Sequence, residues 1–395
     1  MRVLHLVKTA VGGHWAQRQI RQLVRLGVEV HVAMPDGPLV SAYRDAGVTV
    51  HPINFDFPSR APWRLGALSR QLRSLVRELR PELIHSHFVG TTLTMRMALG
   101  RNDEVPRVFQ VPGPLHLEHP PFRMLDVHSA GEADYWIGTC QWTCRTYRNA
   151  GVAGDRVFLS YYGVDLDRAG QHRMRAARRG FQSPSREKVV GLVAYMYAPK
   201  RYLGQRRGLK GHEDLIDALQ ICRRELPELR GVFVGGAWDN AHWYEKRVVR
   251  YGKERDSVRN VFLGSRQDIP ALYATFDVAV CPSHSENVGA AVEAFLNGVP
   301  VVASDVGGLP DVVKDGRTGW LVPSQDPPAL AEAILDALRH EDKATELARN
   351  GEVLAREHFD VQKTAAQVLT IYKQILSRRS VSAGLGSPSA AQGVA

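Results

Sequence analysis

Short apolar runs rich in β-branched residues alternate with amphipathic stretches along most of this chain. Residues 3–7 form the first such run, and an amphipathic stretch separates it from a second run at residues 28–34. Runs of this kind are typical of strands that are buried on both faces, and the stretches between them have the spacing of helices that pack on a sheet. The alternation predicts an α/β protein with ligand-facing loops at the carboxyl ends of its strands.

One stretch, residues 276–313, carries this pattern together with candidate chemistry. Its predicted elements, in chain order, are a strand at 276–281, a polar loop at 282–287, a helix at 290–297 and a strand at 301–304. Gly298 and Pro300 end the helix, because glycine is favoured just past a helix C-terminus and proline cannot continue one. A further helix is predicted to begin near Gly307-Gly308-Leu309-Pro310.

The loop before the predicted helix has the composition of a ligand site. Gly289 lets a ligand approach the backbone, and free N–H groups at a helix start bind phosphate without a side chain. Glu293 falls within the helix and Glu286 in the loop, so the two acids could bracket one phosphorylated, polyhydroxylated ligand. Alternatively, they are acids that the helix dipole favours near any helix N-terminus. Together with the Gly-Gly-Leu-Pro segment, the pattern favours the ligand.

This stretch resembles the C-terminal signature of glycosyltransferase family 4, the retaining glycosyltransferases of the GT-B fold. In the family pattern seven residues lie between two glutamates, whereas six lie between Glu286 and Glu293. Glu293, followed by Ala294, matches the second acid. The first acid is in register only if the loop is one residue shorter, or if Ser285 takes its place.

The resemblance implies two Rossmann-like, doubly wound domains that face a central cleft, with a last helix that crosses back to the first domain. The implied segments are a first domain at 1–167 with a return helix at 361–379, a basic linker at 168–188, a second domain at 189–360 and a disordered tail at 380–395.

The resemblance also implies the residues of the site. Lys210, at a predicted helix start, matches a lysine that binds the diphosphate, and we predict a catalytic role for Lys210, Glu286 and His116. His116 lies three residues after Pro112-Gly113, which occupies the position where many members carry a histidine that contacts the transferred sugar. The predicted donor-binding residues are Gly12, Gly13, Lys210, Arg206, Asn287, Val288, Gly289, Ala290, Glu293, Gly307, Gly308 and Leu309.

Two further positions stay open at this point. The family's Gly-Arg-Leu arginine is missing, and Arg201, Arg206 or Arg207 could replace it. Of His85 and His87, which end a predicted strand, either could reach the cleft or be a buried structural histidine.

The composition and charge of the chain limit the classes of partner that it is expected to bind. The net charge of +10, from 51 basic and 41 acidic residues, suggests anionic partners such as nucleotide sugars or phospholipid surfaces. The arginines are dispersed and no aromatic-basic module is recognisable, so we do not expect nucleic acid. A basic amphipathic helix at 64–80 either docks on anionic lipid or packs on the sheet with solvated arginines. The four cysteines show neither a C-x-x-C pair nor zinc-site spacing, so we expect free thiols.

We expect a cytoplasmic protein, peripheral at the inner membrane face if it meets lipid, because no leader or run of 18 apolar residues is present. The expected reaction moves a hexose or N-acetylhexosamine from a nucleoside-diphosphate sugar, a UDP-sugar rather than a GDP-sugar, to a hydroxyl of a glycan, lipid-linked or small-molecule acceptor. No cofactor is expected, and the absence of a D-x-D loop predicts no metal. The alternatives are a sugar-nucleotide epimerase or hydrolase, and a degenerate protein that binds a nucleotide sugar or a partner.

Overall fold

The computed structural model describes residues 1–166 and 187–385, with side chains through residue 378. Two parallel β-sheets, each flanked by helices, divide this part of the chain. The predicted α/β class and the two doubly wound domains are therefore confirmed. The predicted basic linker falls almost wholly on residues 167–186, which lie outside the described residues.

The N-terminal sheet has seven strands. They are β1 (Arg2–Leu6), β2 (Glu29–Ala33), β3 (Thr49–His51), β4 (Leu83–Ser86), β5 (Arg107–Val111), β6 (Asp134–Gly138) and β7 (Val157–Leu159). Its helices are α1 (His14–Arg25), α2 (Val40–Asp45), α3 (Leu65–Leu79), α4 (Val89–Leu99), α5 (Leu115–Glu118), α6 (Pro120–Ser129) and α7 (Gln141–Asn149). The strand order is β3-β2-β1-β4-β5-β6-β7, so the order reverses between β1 and β4.

The C-terminal sheet has six strands. They are β8 (Val189–Val193), β9 (Arg230–Val234), β10 (Asn260–Phe262), β11 (Val278–Cys281), β12 (Val301–Ser304) and β13 (Trp320–Val322). The helices that follow the first domain are α8 (His212–Cys222), α9 (His242–Arg255), α10 (Ile269–Tyr273), α11 (Gly289–Leu296), α12 (Leu309–Val312), α13 (Pro327–Arg339), α14 (Glu341–His358) and α15 (Val361–Leu385). The order β10-β9-β8-β11-β12-β13 reverses between β8 and β11. In such sheets ligands bind outside the strands' carboxyl ends at the point of reversal.

The last helix, α15, packs on the first domain, as predicted. Val368, Tyr372 and Ile375 are buried in the same apolar core as Val3 of β1. The two segments that connect the domains lie side by side. The Val164 amide, in the segment that leaves the first domain, donates to the carbonyl of Phe359, in the segment that returns to it, at 2.7 Å. Helix α15 ends at Leu385, so residues 380–385 are helical and our prediction of a tail that is disordered from 380 is wrong there. Extending a formed helix adds one hydrogen bond for each residue fixed, which even small residues allow. Residues 386–395 lie outside the described residues.

The basic helix α3 packs on the sheet through Leu72, Leu75 and Val76. The arginines of α3 point outward: Arg70, Arg73 and Arg77 are exposed. Its apolar face is therefore occupied by the domain core, as one of the two interpretations of its sequence expects. Over the described ranges no helix combines the length and apolarity needed to cross a bilayer. All four cysteines are free and buried.

Candidate active site

The two domains meet at the carboxyl ends of their sheets. Asn287, after β11, donates from Nδ2 to Thr139 Oγ1 at 2.9 Å, and the Gln141 amide donates to Asp311 Oδ2 at 2.7 Å. Gly12 adopts φ +70°, and a Cβ there would come within 2.8 Å of the Trp238 ring of the second domain. The loops that the sequence singled out in each half therefore line one interdomain cleft.

The start of α11 is open at this cleft. Its N-cap residue, Val288, makes no side-chain cap hydrogen bond, and Gly289 is exposed with no atom within 4 Å of a Cβ built on it. The first N–H groups of any α-helix have no partner within the helix. At this end they are free to bind an anion, and the helix dipole favours a negative charge there.

Lys210 and Glu286 form an ion pair beside this helix start. Glu286 also accepts hydrogen bonds from Ser283 Oγ and from the Asn287 amide, each at 3.0 Å. Only about 15% of each side chain is exposed. The structure therefore brings together the predicted diphosphate lysine and the uncertain first acid, whereas Ser285, the alternative to Glu286, is buried.

Gly211 explains why Lys210 reaches the loop after β11. Gly211 has φ +66°, and a Cβ there would lie 1.9 Å from the Pro282 carbonyl oxygen. Only glycine tolerates both the left-handed backbone and this contact. The Lys-Gly step therefore holds the start of α8 against the loop that carries Glu286.

Glu293 lies in the second turn of α11 and is half-buried. Burial raises the pKa of Glu293 above its ordinary value, and the charge of Arg18 offsets part of the effect. None of the described residues hydrogen-bonds its carboxylate. Burial raises the pKa of the Cys281 thiol to about 12, and the charges of Glu286, Lys210 and Glu293 all act on this thiol. The three charged side chains therefore surround the end of β11.

The glycine pair before α12 supports the Glu286 loop. Gly307 has φ +55°, and a Cβ there would lie 2.0 Å from the Glu286 carbonyl oxygen. The Gly308 amide donates to that same carbonyl at 3.1 Å. The Leu309 side chain is buried in the domain core, so our prediction that Leu309 lines the donor site is restricted to its backbone.

His116 is turned into the first domain. Its Nε2 lies 3.2 Å from both Asp126 Oδ2 and the Tyr147 hydroxyl, and Asp126 also pairs with Arg96 at 2.8 Å. The structure does not bring this ring to Lys210 or Glu286. A contact between His116 and a transferred sugar stays a prediction, and its present partners are structural.

Glu118, on the same short helix, reaches the second domain and hydrogen-bonds Ser285. Burial raises the pKa of this carboxyl group above its ordinary value.

The long loop after β8 carries the three arginines that could replace the missing Gly-Arg-Leu arginine. Arg207 pairs at 2.6 Å with both Asp214 and Asp217, so it is committed to α8. Arg206 and Arg201 are exposed. Arg206 therefore stays a candidate for the diphosphate.

Sequence reasoning missed His284, whose Nε2 bonds to Asp214, the residue that also binds Arg207. Only the general S-H-S-E character of the loop signalled it, since Asp214 is 70 residues away. A cavity of about 350 Å³ opens beside this pair, between the domains. It is lined by Glu118, Trp142, Arg145, His284, Asp305, Val306, Gly307 and Pro310.

Sequence reasoning also missed an aromatic cluster on the second domain. The Tyr195 and Tyr197 rings lie 5.2 and 5.1 Å from the Trp238 ring, and Lys210 Nζ lies 5.6 Å from the Tyr197 ring. Tyr195 stands two residues past β8, near the position of the missing arginine.

The fold and the cleft define a class: two-domain α/β proteins with a lysine and an open helix start in an interdomain cleft. The family models agree. Residues 13–168 match "Glycosyltransferase Family 4" and residues 201–353 match "Glycosyl transferases group 1". The chain belongs to glycosyltransferase family 4 and has the GT-B fold.

Curated relatives match in part. Spore coat protein SA of Bacillus subtilis is 31% identical over 44% of this chain and 48% of its own length. D-inositol 3-phosphate glycosyltransferase of Streptomyces scabiei is 32% identical over 55% of this chain and 48% of its own length. The matches span about half the length of each of these relatives.

Solved structures match over nearly the whole chain. Anabaena HepE in complex with UDP-glucose has a TM-score of 0.75 at 23% identity and covers 96% of this chain and 100% of its own. Sucrose-phosphate synthase from Thermosynechococcus elongatus has a TM-score of 0.75 at 20% identity and covers 95% of this chain and 99% of its own. At these identities the likeness shows the fold.

Proposed function

We propose that this protein is a retaining glycosyltransferase. It moves a hexose or an N-acetylhexosamine from a nucleoside-diphosphate sugar to a hydroxyl of a glycan, lipid-linked or small-molecule acceptor. The observation that carries the proposal is the meeting of Lys210, Glu286 and the open start of α11 where the C-terminal sheet reverses its order. A cation with free N–H groups suits a diphosphate, and a carboxylate suits the hydroxyls of a sugar.

The donor would replace the Lys210–Glu286 ion pair with two separate contacts. The diphosphate would lie between Lys210 and the amides of Gly289 and Ala290, with Arg206 as a further cation. Glu286, released from the lysine, would accept hydrogen bonds from the transferred sugar. Glu293, whose carboxylate has no partner among the described residues, would bind the nucleotide ribose.

The reaction would proceed on one face of the sugar. The bond between the anomeric carbon and the diphosphate oxygen breaks, and the acceptor oxygen bonds to the same face of that carbon. The acceptor proton passes to the departing diphosphate. Lys210 and the helix-start amides stabilise the negative charge that develops there, and preorganised donors of this kind usually contribute more to catalysis than any other single effect.

The acceptor would enter the 350 Å³ cavity between the domains. Trp142 offers a ring face for a sugar, and Glu118 and Asp305 offer carboxylates to hydroxyl groups. His284 is held by buried Asp214 through Nε2, so its Nδ1 is available as a hydrogen-bond acceptor. Arg145 is exposed at the rim and would attract an anionic acceptor.

The proposed location is the cytoplasm, with contact to an anionic membrane surface when the acceptor is lipid-linked. Exposed arginines of α3 and Trp63, which is 78% exposed just before α3, support this contact. Vesicles with anionic lipid should bind the protein more weakly when Trp63 and Arg70 are changed to alanine. Equal binding of neutral and anionic vesicles would contradict the membrane proposal.

The test of the reaction uses donors first. HepE is described with UDP-glucose and several relatives are named D-inositol 3-phosphate glycosyltransferases, so UDP-glucose and D-inositol 3-phosphate are the first pair to try. A calorimetric comparison of UDP, GDP, TDP and ADP fixes the base. Magnetic resonance of the product then gives the anomeric configuration, which we expect to match that of the donor. An inverted product would contradict retention, and a protein that binds no nucleotide would leave the partner-binding alternative.

A further inference from the structure

We propose that His5, His85 and His87 form a metal site in the first domain, which takes a late first-row transition ion, with univalent copper preferred. The site lies where the N-terminal sheet reverses its order. It is independent of the proposed nucleotide site, and no step of glycosyl transfer passes through it.

Topology brings these three histidines together from distant parts of the sequence. His5 of β1 is the direct register partner of His85 of β4, and His87 follows β4. One ring nitrogen from each of the three lies within 4.8 Å of the others. His5 Nδ1 is 2.9 Å from His87 Nε2, and all three residues are fully buried.

The hydrogen bonds leave ring nitrogens without partners. The Tyr162 hydroxyl donates to the Gln110 carbonyl at 3.4 Å and lies 2.8 Å from His87 Nδ1. With that hydroxyl hydrogen engaged, His87 donates from Nδ1 and keeps a lone pair on Nε2. His5 then donates from Nδ1 to that lone pair, so His5 Nε2 carries a buried lone pair that no described residue satisfies.

His85 also has a buried ring nitrogen without a partner. Its Nδ1 bonds to the Tyr372 hydroxyl, and its Nε2 is buried with no partner in the part of the chain that the structure describes. Unsatisfied buried polar groups are costly, and native proteins rarely leave them. A metal ion bound by His5 Nε2 and His85 Nε2 would satisfy both atoms, and His87 Nε2 would join it by exchanging its hydrogen bond from His5 for the ion.

Both tyrosines have the position of outer-shell partners. Metal-binding histidines usually donate their other ring N–H to a fixed acceptor, which sets the tautomer and orients the ring. Tyr372 belongs to α15, the return helix, and Tyr162 belongs to the segment that leaves the first domain. An ion here would tie both crossings between domains to the first sheet.

The ligand set points to an ion of low charge. Imidazole suits zinc and copper among the first-row ions. All three rings are fully buried, and a histidine ring binds a metal ion only in its neutral form. Because neutral rings bring no negative charge and burial of an uncompensated charge is costly, univalent copper is favoured over a divalent ion.

Binding requires a small movement and an entry path. Metal–nitrogen bonds of about 2.0–2.1 Å place the nitrogens of one site roughly 3.4 Å apart, so an ion would draw the outermost ring inward. Half-buried Trp15 packs against the cluster, with its ring 5.8 Å from that of His87. An ion could enter past this ring or during folding.

The test uses the untagged full chain, refolded with Cu⁺ under reducing conditions or with Zn²⁺, and dialysed before elemental analysis. We expect about one ion per chain for copper, with less zinc retained. Tyr372→Phe, which removes only an outer-shell partner, should weaken retention by about 10- to 100-fold. His85→Asn should abolish it.

His51→Asn is the matched control. His31 Nδ1 and His51 Nε2 form a similar pair at 3.1 Å on neighbouring strands, but no third histidine joins them among the residues that the structure describes. This variant should retain the ion as the unchanged chain does. Retention well below one ion per chain under both conditions would overturn the proposal, and so would equal retention by His85→Asn. If His85→Asn does not fold, the copper retention of Tyr372→Phe after dialysis tests the proposal by itself, and retention equal to that of the unchanged chain would overturn it.

Discussion

The two points of strand-order reversal in this molecule share a topology and differ in what fills them. In the first domain, His87 packs between His5, His85 and the Tyr162 hydroxyl, with Trp15 over them. In the second, the corresponding space opens at exposed Gly289. The same fold feature is therefore a buried ring cluster in one domain and an open, charged crevice in the other.

The difference shows that topology supplies a crevice and side chains decide its use. Bulky rings close the first crevice. In the second, Gly211 and Gly307 let two loops approach closely, so that a lysine and a glutamate meet at a free helix end. The predictions below test whether the second point alone carries the nucleotide chemistry.

The largest expected effect is that of Lys210→Ala on the transfer rate. Removing one group that stabilises the developing charge typically lowers kcat by about 10²- to 10³-fold. Lys343→Ala is the control, since Lys343 also forms an ion pair on the second domain, at 2.8 Å with Asp336. Equal losses in both variants would show that the effect is not local to the crevice.

Gly211→Ala should strongly destabilise the fold. The left-handed backbone alone costs alanine about 1–2 kcal/mol, and here the added Cβ would also collide with the Pro282 carbonyl. Gly204→Ala is the matched control, because Gly204 has φ +75° with no atom within 4 Å of its Cβ position. Urea unfolding should show a clearly lower free energy of unfolding for Gly211→Ala, and equal losses would refute the packing role.

Acid should weaken the first domain through its histidines. Burial lowers the pKa of folded His5 to about 3, whereas the ordinary value is 6.5. The unfolded chain therefore takes up the proton first, and stability falls as the pH drops from 6.5 towards 3. Urea unfolding of chelator-treated protein should show this slope, and His5→Gln should flatten it. If the free energy of unfolding of His5→Gln depends on pH as steeply as that of the unchanged protein, His5 is not the source of this pH dependence.

Glu293 should act with the opposite sign in the second domain. Burial raises its pKa above the ordinary value of 4.5, so the folded state holds the proton longer and loses stability as the pH rises above 4.5. Glu293→Gln should therefore unfold at a higher temperature than the unchanged protein at pH 7.5 and at a similar temperature near pH 4. A lower melting temperature at pH 7.5 would show that the carboxylate stabilises the fold.

The smallest expected effect on ligand binding is that of His116→Gln. Its ring bonds to Asp126 and Tyr147, so its loss should lower the free energy of unfolding by about 1 kcal/mol. Calorimetric affinity for UDP should stay unchanged. A large loss of affinity for UDP-glucose, with stability and UDP affinity unchanged, would instead support the predicted contact with the transferred sugar.

The fold could be predicted from the sequence because strands buried on both faces and glycines that end helices are local signals. The sequence also singled out Lys210, Gly289 and Glu293 as candidates, because each lies at a strand–loop–helix junction that a sequence pattern can mark. Glu286 could not be assigned from an out-of-register motif, because its ion pair with Lys210 joins loops 76 residues apart. The hydrogen-bond partners of His116 could not be predicted either, because Asp126 lies on another helix.

The histidine cluster shows the limit most clearly. His85 and His87 lie two positions apart in the sequence, but His5 joins them only through the parallel pairing of β1 with β4. No ligand spacing along the chain could predict that contact.

The most direct test of the account is a calorimetric titration of UDP into Lys210→Ala and Lys8→Ala. Lys8 is the matched cation: it follows β1, and its Nζ lies 3.8 Å from Asp56. We predict that Lys210→Ala weakens binding at least tenfold, since a hydrogen bond to a charged group contributes about 1.5–3 kcal/mol, while Lys8→Ala has little effect. Equal weakening in both variants, or no binding by the unchanged protein, would contradict a nucleotide site at the C-terminal reversal point.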